Sequence, residues 1–463
     1  MRHEGIGKVI IAAALVAAAS SPAAARGPAN DLDHTFGPGG VGIWNPTCCF
    51  YAGRAALQSD GRIVVSGELN VPEDGWRNFE LYRLTPDGLL DTTFSGDGIR
   101  TMNFGGAPGE TSDSGRAVLI QSDGKILEIG NSDAGTPPGA KVAMVRYRAN
   151  GRLDTTFGDG GRLLVPTPGG FEMNGSIGVQ DAVQREDGTF LVLAGLTNAH
   201  GDGFATFAFT PDGELDPSWG DGGIAFTDPN GSAGGSLMPE AIAGRPDGRV
   251  IIGGWSYEAG GFALRYRADG RLDRTFDHDG RLAIPELATV NDVVLRPGGG
   301  VVFSGVAKAI DQVVTEVSSG DITTAHGYRF ARLVARRNDG RLDGAFGNHG
   351  IAQVRFTDFL SRGAHAVAQG GRIILSASVF DRWDVNGCEW GEFVYRPVLM
   401  RFNGGGIRDR NFSGDGVASG PVDTDMGQIA DLLLQRPTKV VAEGVDGCPW
   451  RQPDARVGRF LAT

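Results

Sequence analysis

A recurring pattern, Gly-x-Leu-Asp-x-x-Phe, constrains the fold of this 463-residue chain more than any other feature. The stretch 263–285, ALRYRADGRLDRTFDHDGRLAIP, contains one clear copy, in which a Gly-rich turn and an apolar run follow the motif. The aromatic residue of the pattern recurs at intervals of roughly 60 residues. Its seven positions are Phe36, Phe94, Phe157, Trp219, Phe276, Phe346 and Phe412. Self-similarity at this period indicates a repeat architecture rather than several unrelated domains.

A second pattern alternates with the first and consists of two apolar runs joined by an Asp-Gly turn or its equivalent. Its seven copies lie at 55–67, 118–130, 182–195, 241–254, 293–305, 366–378 and 432–444. The apolar runs are short, rich in Val, Ile, Leu and Phe, and bounded by turn residues, which is typical of strands. Helical periodicity is almost absent. Each repeat therefore predicts four antiparallel strands.

These repeats predict an all-β fold, a seven-bladed β-propeller of four-stranded antiparallel blades. The segment Gly458–Leu461 matches the strand Leu264–Arg267, and Leu32–Phe36 matches the turn that should follow such a strand. We therefore expect the N-terminal strand to complete the last blade, which would remove the open sheet edges of an unclosed ring. The repeats continue without a linker, so we expect a single domain over residues 26–463.

The repeats resemble a known family, the bacterial delta-60 repeats, over about residues 32–461. The resemblance is clearest at Gly151–Gly161 and Gln121–Ile126, where the two motifs follow each other. Trp219, Arg408 and the pair Pro437-Thr438 depart from the pattern. The resemblance implies a β-propeller of unknown function, and it implies no catalytic residue.

The N-terminus has the layout of a secretory signal peptide, with Arg2 and Lys8 before the apolar run Val9–Ala19 and small residues up to Ala25. We expect residues 1–25 to be a signal peptide and the protein to be periplasmic or secreted. The net charge of −12 argues against nucleic acid or an anionic membrane surface as a partner. No later segment is long enough to span a bilayer, so we expect no membrane insertion. We also expect the protein to be a monomer.

The four cysteines, Cys48, Cys49, Cys388 and Cys448, are an even number in a chain expected to be exported, where disulfides persist. Ring closure would make the sixth and seventh repeats neighbours of the first strand. We therefore expect Cys48 and Cys49 to bond to Cys388 and Cys448, in either order, because a bond between adjacent residues demands strained geometry. The alternative is a redox or metal site, although Cys48-Cys49 lacks the usual two-residue spacer for zinc.

The repeated Asp residues and the Gly-Asp-Gly turns invite a calcium hypothesis. These residues are Asp91, Asp154, Asp216, Asp273 and Asp343. A structural interpretation is favoured, because Asp caps its own turn and Gly supplies a positive φ; we expect no metal and no cofactor. Arginines recur beside an aromatic residue, and we expect them to pair with these aspartates. They are Arg83, Arg146, Arg265, Arg401 and Arg459.

Antiparallel alternation assigns the loops to two faces. The turn face carries the Asp-Gly and Leu-Asp-x-x-Phe turns, and the variable face carries the connections of unequal length. One of these connections, 306–328, gives the fifth repeat the largest spacing. We expect it to be a mobile or partly ordered flap over the variable face. Binding is usually found on variable loops of a rigid scaffold.

The leading hypothesis is an exported, non-catalytic propeller whose variable face binds a protein or glycan. Aromatic side chains supply contact area at low entropic cost. The candidate anchors are Trp44, Trp76, Trp383, Trp390 and Trp450. For any single Trp, the alternative is that the ring only fills space beneath a long loop.

The second hypothesis is a hydrolase or lyase that works at the mouth of the central channel. Local catalytic motifs are missing, but propeller enzymes gather catalytic groups from several blades, so the sequence leaves the enzyme question open while favouring no catalysis. If the first arm of each hairpin is innermost, seven polar side chains stand near its start. They are Arg54, Arg116, Asp181, Glu240, Asp292, His365 and Asp431. Mixed acids, bases and a His could support acid-base chemistry, and solvated loop ends explain them equally well.

Overall fold

The structure is a computed structural model. It describes residues 32–44, 50–71, 76–105, 111–135, 139–168, 172–173, 178–198, 201–227, 237–307, 311–316, 322–360, 364–384, 392–420, 428–435, 439–445 and 455–461. The expected signal peptide, the four cysteines, Trp390 and Trp450 lie outside the described residues.

The chain folds into seven four-stranded antiparallel blades arranged in a ring, as the sequence predicted. Blade 1 contains β2 (Phe50–Leu57), β3 (Ile63–Val71), β4 (Trp76–Leu84) and β5 (Ile99–Met102). Blade 2 contains β6 (Asp113–Ile120), β7 (Ile126–Ser132), β8 (Lys141–Tyr147) and β9 (Arg162–Val165). Blade 3 contains β10 (Val179–Gln184), β11 (Phe190–Asn198), β12 (Gly201–Phe209) and β13 (Ile224–Thr227). Blade 4 contains β14 (Leu237–Gly244), β15 (Val250–Ser256), β16 (Gly260–Tyr266) and β17 (Arg281–Ile284).

The remaining blades follow the same order from the channel outward. Blade 5 contains β18 (Asp292–Leu295), β19 (Val301–Val306), β21 (Ile322–Arg336) and β22 (Ile351–Leu360), with β20 (Asp311–Glu316) paired to β21. Blade 6 contains β23 (Ala366–Gln369), β24 (Arg372–Asp384), β25 (Glu392–Phe402) and β26 (Val417–Ser419). Blade 7 contains β27 (Gln428–Gln435), β28 (Lys439–Val445), β29 (Ala455–Leu461) and β1 (Val41–Trp44). Short 3-10 turns lie at Pro38–Gly40 and Pro297–Gly299.

The ring is closed by the N-terminal strand. β1 pairs antiparallel with β29, from Val41 opposite Gly458 to Trp44 opposite Ala455. The first strands of successive blades contact each other in the order β2, β6, β10, β14, β18, β23, β27 and back to β2. These strands therefore line the central channel, and each blade presents its last strand to the outside.

The aromatic residue of each repeat packs between its own blade and the next. Phe94, for example, is fully buried among Val64 and Leu81 of blade 1 and Val118 and Tyr147 of blade 2. The glycine that opens the next motif lies against this ring. A Cβ on Gly151 would stand 2.9 Å from the Phe94 ring, and its φ of +82° also favours glycine. The glycine that opens one copy of the motif thus packs, across the blade interface, against the aromatic residue that ends the preceding copy.

Three of the five predicted aspartates, Asp91, Asp154 and Asp273, pair with the recurrent arginines, and these contacts form a unit that joins neighbouring blades. In blade 4, Arg265 Nε donates to Asp273 Oδ2 at 2.8 Å, and its Nη2 donates to Thr275 at 2.9 Å. The guanidinium lies 4.7 Å from the centre of the Phe276 ring, and Nη1 donates to the Asn338 carbonyl of the next blade. The same Arg–Asp contact occurs at Arg83–Asp91, Arg146–Asp154, Arg401–Asp409 and Arg459–Asp33, at 2.9 Å each.

Blades 3 and 5 build this unit differently, because alanine replaces the strand arginine at Ala208 and Ala335. In these blades the guanidinium comes from the end of the innermost strand. Arg185 lies 4.6 Å from the Trp219 ring, and Arg296 lies 5.4 Å from the Phe346 ring. The same interface is therefore stabilised from a different strand.

The long connection of the fifth repeat forms a β-hairpin. β20 pairs with the first half of β21, from Asp311 opposite Gly327 to Glu316 opposite Ile322. This pairing gives part of the segment regular secondary structure, and the mobile or partly ordered flap stays a prediction. Blades 5 and 6 also join through one backbone pair, Leu360 opposite Val379. No helix in the described ranges is long and apolar enough to cross a membrane.

Candidate functional site in the central channel

Five of the seven predicted channel-mouth residues occupy one equivalent position on the innermost strands. They are Arg54, Asp181, Asp292, His365 and Asp431. Blades 2 and 4 carry Ala117 and Ala241 at this position, where Arg116 and Glu240 stand one residue earlier at a register shift. The ring therefore directs one side chain from most blades towards a common axis.

Arg54 is at the centre of this group. Its Nη1 lies 3.8 Å from Asp292 Oδ1 and 3.7 Å from Asp431 Oδ1, and its Nη2 lies 3.8 Å from Asp181 Oδ2. Nη2 also donates to the backbone carbonyl of Glu240 at 3.1 Å. The Arg54 side chain is 15% exposed, so one guanidinium partly neutralises three carboxylates in a largely desolvated channel.

Each of the three aspartates also joins its blade to the next one. The innermost strand has no strand on its channel side, so N–H groups that point there need another acceptor. Asp431 Oδ2 accepts the N–H of Ala55 at 3.0 Å, which links blade 7 to blade 1. Asp181 Oδ2 accepts the N–H of Ile242 at 3.1 Å, which links blade 3 to blade 4.

Asp292 makes the third link and also holds the only histidine of the predicted set. Its Oδ2 accepts the N–H of Ala366 at 3.0 Å and lies 3.1 Å from His365 Nδ1, joining blade 5 to blade 6. The second carboxylate oxygens of Asp181 and Asp431 accept N–H groups within their own strands at 2.8 and 2.7 Å. All three carboxylates are therefore engaged with the backbone as well as with Arg54.

Burial and the central charge have opposite effects on these groups. Burial raises the pKa of Asp181 to about 6, although Arg54 opposes this rise, and it raises the pKa of Asp431 in the same way. Burial would also raise the pKa of Asp292, but His365 and Arg54 outweigh it and hold that pKa below its ordinary value. Burial lowers the pKa of Arg54, and the surrounding carboxylates more than reverse this, so Arg54 stays charged.

The other two predicted residues have different partners. The Glu240 carboxylate accepts a hydrogen bond from Trp255 Nε1 at 2.8 Å. Arg116 lies 3.7 Å from Glu68, a buried residue of β3 that the sequence reasoning missed. Glu68 could have been noticed as an acidic residue within an otherwise apolar second arm. The structure thus brings five predicted residues into direct contact with one another and places Arg116 with a different acid.

The predicted tryptophan patch is only partly covered by the described residues. Trp44 ends β1, Trp76 begins β4 and Trp383 lies near the end of β24, so each stands at the variable-face end of its strand. The described aromatic pair on this face is Trp255 and Tyr257, whose ring centres are 4.9 Å apart in an edge arrangement. Tyr257 is 74% exposed.

In chemical terms, the channel group could hold a proton on Asp181 below about pH 6, and it presents an excess of carboxylates around one guanidinium. Among the described residues, no group of three or more His, Cys, Asp or Glu is arranged to hold a metal ion. The arrangement suits either proton transfer or the joining of blades, and five of the six carboxylate oxygens of Asp181, Asp292 and Asp431 already accept a backbone N–H.

Three segments of the chain match a family model described as a domain of unknown function (DUF5122) beta-propeller. The matched residues are 58–94, 121–157 and 245–276. Each segment runs from an Asp-Gly hairpin to the aromatic residue of the repeat motif. No curated protein matches the chain significantly.

Solved structures with a similar arrangement include a protein of unknown function from Dyadobacter fermentans, at 11% identity and a TM-score of 0.41, covering 91% of this chain and 98% of that one. The β-propeller domain of the trilobed protease from Pyrococcus furiosus has 9% identity and a TM-score of 0.42, covering 90% and 96%. The GH93 α-L-arabinofuranosidase of Fusarium graminearum, in complex with arabinobiose, has 11% identity and a TM-score of 0.41, covering 93% and 96%. Such distant likenesses carry no argument about activity.

Proposed function

We propose that this protein is an exported, non-catalytic β-propeller scaffold whose variable face binds a protein or a glycan. The observation that carries the proposal is the engagement of the channel carboxylates. Asp181, Asp292 and Asp431 each accept a backbone N–H from the next blade while they share Arg54. Residues used in this way hold the ring together. A general acid or base, by contrast, needs a carboxylate oxygen that is free to reach the substrate.

The aromatic pair on the variable face supports the binding role. Trp255 is held by Glu240, and the neighbouring Tyr257 projects into solvent with 74% of its surface exposed. A fixed, exposed aromatic ring loses little entropy when it contacts a partner. Trp383 and Trp390 extend the same hypothesis to blade 6, where the connection between β24 and β25 is long.

Binding of the purified protein to a panel of extracellular glycans and envelope proteins tests this proposal. The variants are Tyr257→Ala and the double variant Trp383→Ala, Trp390→Ala, with Leu89→Ala as the control. Leu89 is also an exposed apolar residue, 56% accessible, but lies on the turn face. We expect either aromatic variant to weaken binding about tenfold or more and the control to leave it unchanged. Equal binding by all folded variants would remove the variable face from consideration.

The hydrolase or lyase hypothesis makes a different prediction for the same channel. If the group were catalytic, a substrate screen would find turnover that Asp181→Asn abolishes without unfolding the protein. We expect no turnover from the wild-type protein. Turnover that depends on Asp181 would overturn the non-catalytic assignment.

A further inference from the structure

A cleft of about 770 Å³ opens on the turn face of blade 4, away from both the channel and the variable face. Its lining includes Arg267, Arg271, Arg274, His278 and Arg281. Four arginines and a histidine thus line one cleft in a protein whose net charge is −12. The volume lies within the range of roughly 300–1,000 Å³ that is typical of small-molecule sites.

Most of this positive charge has no paired counter-charge in the part of the chain that the structure describes. Among the described residues, Arg271, Arg274 and Arg281 form no ion pair, whereas Arg267 lies 3.0 Å from Asp269. The two carboxylates in the lining offset only part of this charge. Asp273 is already paired with Arg265 and Arg249, at 2.8 and 2.9 Å. The Asp279 carboxylate accepts the backbone N–H of Arg281 at 2.8 Å, so this acid caps its own turn.

The turn that carries the histidine has an unfavourable backbone for its residues. Asp277 and His278 both have positive φ, +45° and +69°, where L-residues with side chains are disfavoured. The equivalent turns of blades 1 and 6 place glycine at the position of His278, namely Gly96 and Gly414, with φ of +100° and +82°. A Cβ at Gly96 would contact nothing within 4 Å, so this position needs no side chain for packing. His278 is exposed, so its ring is accessible to a ligand in the cleft.

We infer that this cleft binds a small ligand with two or more oxyanion groups, such as carboxylates or phosphates, through Arg271, Arg274, Arg281 and His278. Guanidinium groups pair with planar oxyanions through two parallel hydrogen bonds, and several such pairs select for a multiply charged ligand. No aromatic side chain lines the cleft, so a neutral sugar would find no stacking surface there. The site is independent of the proposed binding function of the opposite face.

Calorimetric titration of the full-length mature protein tests the inference. The probes are inorganic pyrophosphate, trigalacturonate and, as a neutral comparison, maltotriose. The test variant is Arg271→Ala with Arg274→Ala. The control is Arg152→Ala with Arg410→Ala, because Arg152 occupies the place of Arg271 in blade 2 and Arg410 that of Arg274 in blade 6. Both double variants remove two exposed arginines from the same motif positions, so they change the net charge equally.

We expect at least one anionic probe to bind, maltotriose not to bind, and the test variant to weaken binding about tenfold or more while the control changes it less than about twofold. Preference for pyrophosphate or for trigalacturonate identifies phosphate or carboxylate as the group recognised. An equal loss in both double variants would show a long-range charge effect and overturn the site. Failure of both anions to bind the wild-type protein would overturn it as well, without bearing on the variable face.

Discussion

Single buried charges in this protein are held by several donors at once. Asp273 accepts from Arg265, Arg249 and Thr275, and it is 2% exposed. A buried carboxylate with this many partners is favoured only while every partner is in place, because each donor is desolvated too. The aspartate of the repeat motif is therefore a structural residue, as the sequence predicted, and its removal should have a large effect.

We expect Asp273→Asn to lower the free energy of unfolding by about 3 kcal/mol, because the buried Arg265 then lacks its counter-charge. Asp212→Asn is the matched control. The Asp212 side chain is 79% exposed and lies 3.4 Å from Arg146, the equivalent arginine of blade 2. Its loss should change stability by less than about 0.5 kcal/mol. Urea unfolding followed by tryptophan fluorescence measures both, and equal effects would contradict the structural role of the buried pair.

Glu80 should make stability depend on pH in the unusual direction for a carboxylate. It is 2% exposed, accepts a hydrogen bond from Tyr82 at 2.8 Å, and burial raises its pKa to about 7 from an ordinary value of 4.5. The folded state therefore binds this proton more tightly than the unfolded state does. The contribution of Glu80 to stability is full below the unfolded pKa and is lost as pH rises through 7.

We expect Glu80→Gln to remove this dependence. Between pH 4 and pH 9 the stability of the variant should rise relative to the wild type by about 3 kcal/mol. Urea unfolding of both proteins across this pH range measures the difference. A constant difference would mean that Glu80 is not held in its protonated form.

Within one repeat, the decisive element is the turn that receives the aromatic residue of the preceding blade. Gly213 has a φ of +91°, and a Cβ there would stand 2.5 Å from the Phe157 ring. Gly222, in the following Gly-rich turn, also has a positive φ, +61°, but its Cβ would meet nothing within 4 Å. Comparing Gly213 with Gly222 therefore separates the cost of a left-handed backbone from the cost of a steric clash.

We expect Gly222→Ala to cost about 1 kcal/mol, from the left-handed backbone alone. Gly213→Ala should cost at least about twice as much, because the ring at the blade interface must also move. Thermal unfolding of the two variants provides the comparison. Similar losses would show that the interface accommodates the methyl group.

The sequence predicted these elements well wherever the repeat motif was complete. Strand number, blade order and the pairing of Arg265 with Asp273 all follow from short-range patterns. The sequence could not show that Arg185 and Arg296 would replace the missing strand arginines of blades 3 and 5, because that exchange depends on side chains meeting across a blade. Nor could it show the pairing of blades 5 and 6 through Leu360, which is set by the length of β22.

On the scale of the whole ring, the sequence predicted where the candidate site lies, but not which of its residues contact one another. Antiparallel alternation placed seven polar residues at the channel mouth. Ring geometry then decided that Arg54 would gather Asp181, Asp292 and Asp431, which come from blades far apart in sequence. The cleft of blade 4 was missed, since four arginines in one turn region look like ordinary solvated charges until the cleft and its missing counter-charges are visible.

The cysteine prediction also belongs to this scale, and it concerns residues outside the described ranges. Cys48 follows β1, Cys388 lies between β24 and β25, and Cys448 lies between β28 and β29. Since β1 pairs with β29, we expect Cys48 and Cys49 to bond to Cys388 and Cys448. Each bond should add on the order of 2–4 kcal/mol to stability. Peptide mapping by mass spectrometry without reduction should find these linked peptides, and four free thiols in protein from an oxidising compartment would contradict the pairing.

Closure through β1 also sets the order of events during folding. Asp33 and Arg459, which hydrogen-bond across the closure, are 426 residues apart. β1 must therefore wait for the synthesis of β29 before blade 7 can form. Extending such a loop costs little free energy, because the entropy of closure grows only with the logarithm of its length. The delay has a kinetic cost instead, because β1 and β28 both expose unpaired edges until β29 is synthesised, and unpaired edges favour aggregation.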